Sequence, residues 1–155
     1  MSDHDVVVAT VAAVILVDAA GRVLLQLRDS AAPVFPDKWS LVGGHLEAGE
    51  EPERGARREV LEESALAVNG PLEPVFEGLL PSGLGSGVTH WFVYAAPTTA
   101  SDDQIVVGEG ADIAFVAPER TRALDLTPSA ALLLPGFLGS PLHRDLATRA
   151  AAGRG

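Results

Sequence analysis

Residues 44–66 read GHLEAGEEPERGARREVLEESAL, and how this stretch folds decides how the rest is read. Pro52 suits the first turn of a helix, and Glu53 to Ala67 is dense in helix formers with no internal proline, so a helix is expected there. Asn69-Gly70-Pro71 would stop it. On that helix Glu59, Glu62 and Glu63 stand at i, i+3 and i+4, within about 100° of one face. Like charges so placed repel by a few tenths of a kcal/mol per pair, a cost that a sequence rarely accumulates for stability alone. A hard divalent cation relieves it, because Mg²⁺ prefers oxygen ligands, keeps several waters and bridges to phosphates. Val60, Leu61, Ala65 and Ala56 are expected on the opposite face, packed on a sheet. The plainer alternative is a solvated glutamate face with Arg58 and Glu62 as a surface i,i+4 pair, the ordinary state of a glutamate-rich helix taken alone.

Outward from this helix the pattern turns to strands. Asp5 to Val17 is rich in β-branched residues and reads as a long strand; Asp18-Ala19-Ala20-Gly21 supplies a turn, and Val23 to Leu27 returns. Ser30 to Lys38, with Pro33 and Pro36, is a loop, and Trp39 to Val42 is a short strand running into Gly43-Gly44. After the helix, Leu72 to Leu80, Val88 to Ala95 and Ile113 to Val116 read as strands, with loops at 81–87 and 102–110. A C-terminal helix is expected from Thr127 as N-cap and Pro128, kinked or ended by Pro135-Gly136, with a frayed tail over 148–155. No repeat or composition shift marks a boundary, so 1–155 is read as one α/β (α+β) domain, a mixed β-sheet between helical layers.

Composition narrows the function classes. With 47% apolar and 21% charged residues over 155 positions, one packed core is expected. The net charge of −10 disfavours a nucleic-acid polymer as partner, although an anionic small molecule can bind where divalent cations neutralise a carboxylate cluster. The absence of cysteine removes disulfides, thiolate zinc sites and thiol nucleophiles, and fits a reducing cytoplasm. Asp18 and Arg22 interrupt the N-terminal apolar run, so no membrane span is expected, and Met1 to Asp5 lacks a signal peptide's basic start.

Gly44, five residues, Glu50, seven residues, then Arg58-Glu59-Val60-Leu61-Glu62-Glu63-Ser64-Ala65-Leu66 resembles the Nudix box. That pattern is a glycine, a glutamate, then Arg-Glu, an aliphatic, any residue, Glu-Glu, any residue, glycine, aliphatic. Every fixed position matches but one, where Ala65 replaces the last glycine. Many fixed positions at fixed spacings make a specific signal. The resemblance implies a Nudix-like α/β/α sandwich of the mutator type. It also implies Mg²⁺, or Mn²⁺, held by Glu59, Glu62 and Glu63 with the Gly43 carbonyl, while Glu50 and Arg58 pair to fix loop against helix. Gly44 is the box's first glycine. Ala65 puts the turn after the helix in doubt, since alanine resists positive φ. Glu109, flanked by Gly108 and Gly110, resembles the position from which some members supply a further metal or base carboxylate. Arg28 is a candidate for a substrate phosphate, and Trp39 for stacking on a base, with a packing role as its alternative. His45 and Glu47 are read as exposed loop residues, and His90 as a strand residue.

The reaction implied is hydrolysis of a diphosphate linkage in a nucleoside diphosphate derivative, with a (deoxy)nucleoside triphosphate or modified nucleotide giving a monophosphate and pyrophosphate. Pro81, fifteen residues past Leu66, resembles ADP-ribose hydrolases, so ADP-ribose or a nucleotide sugar is the alternative substrate. Rivals of other classes are a Nudix-fold nucleotide-binding module without catalysis, an isopentenyl diphosphate isomerase relative, disfavoured by the missing cysteine, and a structural acidic protein. Exposed edge strands leave room for a homodimer.

Overall fold

Strand β1 (Val7–Val17) is apolar at nearly every position, and from Ala12 to Val17 both of its faces are covered. Ala13, Ile15 and Val17 point into one core, and Ala12, Val14 and Leu16 into the other. The computed structural model describes residues 6–83, 85–108 and 110–153; Asp5, read as the start of this strand, lies outside them. The remaining strands are β2 (Val23–Leu27), β3 (Trp39–His45), β4 (Glu73–Pro81), β5 (Val88–Pro97) and β6 (Asp112–Val116). They form one six-stranded sheet in the order β4-β5-β1-β3-β2-β6. β1 and β5 run parallel, and the other neighbours antiparallel, so the sheet is mixed as expected. β3 runs three residues beyond the expected Val42, because Gly43 and Gly44 pair with Ala13 and Ala12.

Helix α1 (Pro52–Ser64) covers one face, where Ala56 and Val60 pack with Leu24, Val42 and Phe115. Beyond the short α2 (Pro118–Thr121), α3 (Pro128–Phe137) and α4 (Pro141–Gly153) cover the other, burying Ala130, Leu134, Phe137 and Leu146. The result is the α/β/α sandwich. Among the described residues no helix is long and apolar enough to cross a membrane.

Three expectations need correction. The helix after the box loop ends at Ser64, short of Ala67. Ala65 takes the left-handed conformation (φ 66, ψ 10) and its N–H donates to the Leu61 carbonyl at 2.9 Å, so the turn forms despite the missing glycine. Leu61 and Ala65 do not face the sheet. Leu61 is 51% exposed and Ala65 is exposed, while Ser64 is buried with its hydroxyl donating to the Val60 carbonyl. The tail expected to fray is helical to Gly153. Leu146 and Ala150 are buried, and His143 ties α4 to the β1–β2 turn through the Gly21 carbonyl at 2.9 Å. α3 passes Pro135 and ends at Phe137; Thr127 is its N-cap residue, though its hydroxyl makes no cap bond.

Candidate active site

α1 presents its glutamates differently from one another. Glu59 and Glu63 are 9% and 8% exposed, whereas the Glu62 side chain is 55% exposed. The spacing i, i+4 turns Glu59 towards β3 and Glu63 towards β2, and i+3 leaves Glu62 at the rim. Glu59 and Glu63 are thus not part of a solvated face, although the Arg58–Glu62 i,i+4 pair of that alternative does form, at 3.1 Å. Burial raises the pKa of Glu59, with the charges of Glu62 and Glu63 adding to the rise and Arg58 opposing it.

The box loop closes on the helix through small residues. A Cβ at position 44 would lie 2.3 Å from Glu59 Oε2, so only glycine lets that carboxylate lie against β3. A Cβ at position 43 would lie 2.2 Å from the Ala12 carbonyl oxygen, which keeps β3 close to β1. Gly55, which the sequence reading passed over, does the same for the loop: a Cβ there would meet Leu46 Cδ2 at 2.1 Å and Glu50 Oε1 at 2.8 Å. A glycine in a helix interior costs about 1 kcal/mol relative to alanine, and that cost was the available signal.

Arg58 is the electrostatic hub. Its Nε and Nη2 donate to Glu50 Oε2 and Oε1 at 2.8 and 2.9 Å, the fork expected from the box. This fork, with the Glu47 N–H at 3.0 Å, holds the Glu50 pKa down to about 2. Glu50 in turn is the main cause of a raised Arg58 pKa. Arg58 Nη2 also donates to the His45 carbonyl, and Nη1 reaches Glu59 Oε1 at 3.0 Å and Glu62 Oε2 at 3.1 Å. Two metal-candidate carboxylates thus already converge on one positive group.

Among the described residues no three acidic or histidine side chains are gathered closely enough to hold a metal ion as they stand. The donor set nevertheless fits a hard cation. It is all oxygen, and it would leave water and substrate to complete an octahedron once Arg58 gives up its hold on Glu59 and Glu62. Glu63 is engaged apart from the other two, accepting from Gln26 Nε2 at 2.7 Å.

The other candidates fall in separate places. Arg28 is half-buried and donates from Nε to the Val34 carbonyl at 2.7 Å, bracing the 29–38 loop. Trp39 packs against the α3/α4 core, on the sheet face opposite α1, so it is not brought together with the glutamates. His90 lies on β5, against Phe92 and 3.0 Å from Glu77 Oε2. His45 is exposed, as is the Glu47 side chain. Glu109 lies outside the described residues. The segments beside it are tied to the site: Val106 and Gly108 N–H donate to the Ser64 and Glu63 carbonyls, and Ala111 N–H to the Leu27 carbonyl. A Cβ at Gly108 would lie 2.3 Å from the Glu62 carbonyl oxygen.

This architecture has known counterparts. A model of the NUDIX domain matches residues 7–137. The chain is similar to the MutT protein of Methanosarcina mazei, at 17% identity over 99% of each chain with a TM-score of 0.70. It is similar to the NUDIX domain of Shewanella oneidensis NrtR in complex with ADP ribose, at 19% identity over 82% of this chain and 84% of that one, with a TM-score of 0.69. It is also similar to the E. coli dihydroneopterin triphosphate pyrophosphohydrolase, at 24% identity over 86% and 97% of the two chains, with a TM-score of 0.63. At such identities the likeness is one of fold, and the domain match supplies the rest: the chain belongs to the Nudix family and is a hydrolase of that type.

Proposed function

We propose that the protein hydrolyses the diphosphate linkage of a (deoxy)nucleoside triphosphate or modified nucleotide in the presence of Mg²⁺ or Mn²⁺, giving a monophosphate and pyrophosphate. The observation that carries this reading is the burial of Glu59 and Glu63, with Arg58 joining Glu59 to the exposed Glu62. Replacing buried charges by well-packed apolar groups is commonly neutral or stabilising, so retaining them points to a cation. Glu59, Glu62 and Glu63 would hold the metal, with the Gly43 carbonyl as a further oxygen. Bound there, the metal supplies charge neutralisation at phosphorus and acidifies a water.

The remaining roles belong to the chain itself. Glu50 and Arg58 fix the loop on the helix. A carboxylate, either a box glutamate or Glu109, takes the proton of the attacking water. Arg28, at the end of β2, would bind a substrate phosphate, while the packing of Trp39 favours a core role over stacking. The net charge of −10 favours a small metal-bound nucleotide over a nucleic-acid polymer, and the lack of cysteine suits a cytoplasmic enzyme.

Phosphate and pyrophosphate release would be followed with Mg²⁺ and a panel of triphosphates, 8-oxo-dGTP, ADP-ribose, nucleotide sugars and dinucleoside polyphosphates. Turnover of a triphosphate with pyrophosphate release is the expected result. Preference for ADP-ribose would move the substrate to the alternative class. Tight nucleotide binding with no turnover by folded protein would replace the enzyme with a binding module.

A further inference from the structure

Gln26 interrupts an apolar strand, and its surroundings explain why. Along β2 the even positions face α1: Leu24 lies in that core, and Gln26 follows it at 8% exposure, between Ser40 on β3 and Ile113 on β6. A leucine there would bury apolar surface with neither the amide's desolvation nor its lost rotamers. The amide instead donates to Glu63 Oε2 at 2.7 Å. Two glycines approach the pair: at Gly110 a Cβ would lie 3.0 Å from Gln26 Nε2, and the Gly108 N–H donates to the Glu63 carbonyl at 2.7 Å.

We infer that Gln26 is a positioning residue that fixes the Glu63 carboxylate for a divalent cation through a neutral hydrogen bond. This rests on the metal reading of α1. The contrast with Arg58 gives the reason for an amide. A guanidinium between Glu59 and Glu62 competes with any incoming metal, whereas an amide takes one of a carboxylate's roughly four lone-pair positions and leaves its charge intact. Glu63 is thereby oriented before the cation arrives, and ordering it adds nothing to the cost of binding.

The test is Mn²⁺ binding to the metal-free full chain, read by electron paramagnetic resonance without substrate. Gln26→Met keeps the length and removes the donor. It should weaken Mn²⁺ binding roughly ten- to a hundredfold, the usual effect of losing a partner of a metal ligand, with circular dichroism showing a folded protein. In a Glu63→Gln background the same substitution should weaken binding no further. If Gln26→Met fails to fold, Gln26→Asn, whose amide falls one methylene short, carries the same expectation. Wild-type affinity in the folded variants, or effects of Gln26 and Glu63 that multiply independently, would overturn the inference. Wild-type protein that takes up no Mn²⁺ would instead overturn the metal reading beneath it, and this inference with it.

Discussion

The two faces of the sheet are covered by helices built on different rules. α1 and α4 each have 13 residues and each begins with proline. α4 buries Leu146, Ala150 and the hydrogen bonds of His143, and it pairs an exposed Asp145 with a half-buried Arg149 at i,i+4 and 3.0 Å. α1 buries Glu59 and Glu63, leaves Leu61 in solvent, and ends on an alanine in a conformation that suits glycine. Packing accounts for α4. α1 departs from packing wherever a carboxylate has to be placed, which is where a functional site is expected to break local rules.

The comparison breaks if the two faces respond alike to substitution. Leu146→Ala should cost about 2–5 kcal/mol of stability by opening a cavity, with the activity of folded molecules unchanged, as denaturant unfolding beside kcat would show. Gly44→Ala should do the reverse. Its Cβ would displace the movable end of Glu59, and a shift of about 1 Å at a site can cost on the order of a hundredfold in kcat/KM, with the unfolding midpoint little altered.

The acid limb of stability sharpens the picture. Glu50 falls from an ordinary 4.5 to about 2 in the folded chain. A lowered folded-state value stabilises above the unfolded value and loses that contribution as pH falls towards the folded one. Thermal unfolding of wild type should therefore weaken between about pH 4.5 and pH 2, with a flatter decline in Glu50→Gln. Smallest are two single changes in the helices. Ala65→Gly should relieve a left-handed alanine, adding about 1 kcal/mol and raising Tm by roughly 2–4 °C. Gly136→Ala on the α3 face, where a Cβ meets nothing within 4 Å, should add up to about 1 kcal/mol through helix propensity alone.

What could be read from the sequence was local. The glutamates at i, i+3 and i+4, the Glu50–Arg58 fork and the strand–loop–helix frame all lie within residues 39–66, and helical periodicity projects them into space without further information. The even–odd partition of β1 between two cores follows likewise from its apolar run. Contacts made by distant segments were not legible. Gln26 meets Glu63 across 37 residues, and Gly108 meets α1 only because the loop after β5 folds back. The α4 tail looked too small and polar to order, because the surface that holds Leu146 and Ala150 comes from β1 and β5. Ala65 shows the converse: its steric objection to positive φ is real, and the fold overrides it with one hydrogen bond and a buried Ser64.

The central claim is that the carboxylates of α1 work through a divalent cation. The direct test is turnover of the best substrate in Mg²⁺, in EDTA, and after Mg²⁺ is restored, for wild type beside Glu62→Gln, whose exposed side chain makes misfolding an inadequate excuse for lost activity. The account predicts wild-type turnover that stops in EDTA and returns with Mg²⁺, and a folded Glu62→Gln at least about a hundredfold slower at saturating metal. Wild-type turnover that persists in EDTA, or a Glu62→Gln as fast as wild type, would contradict it.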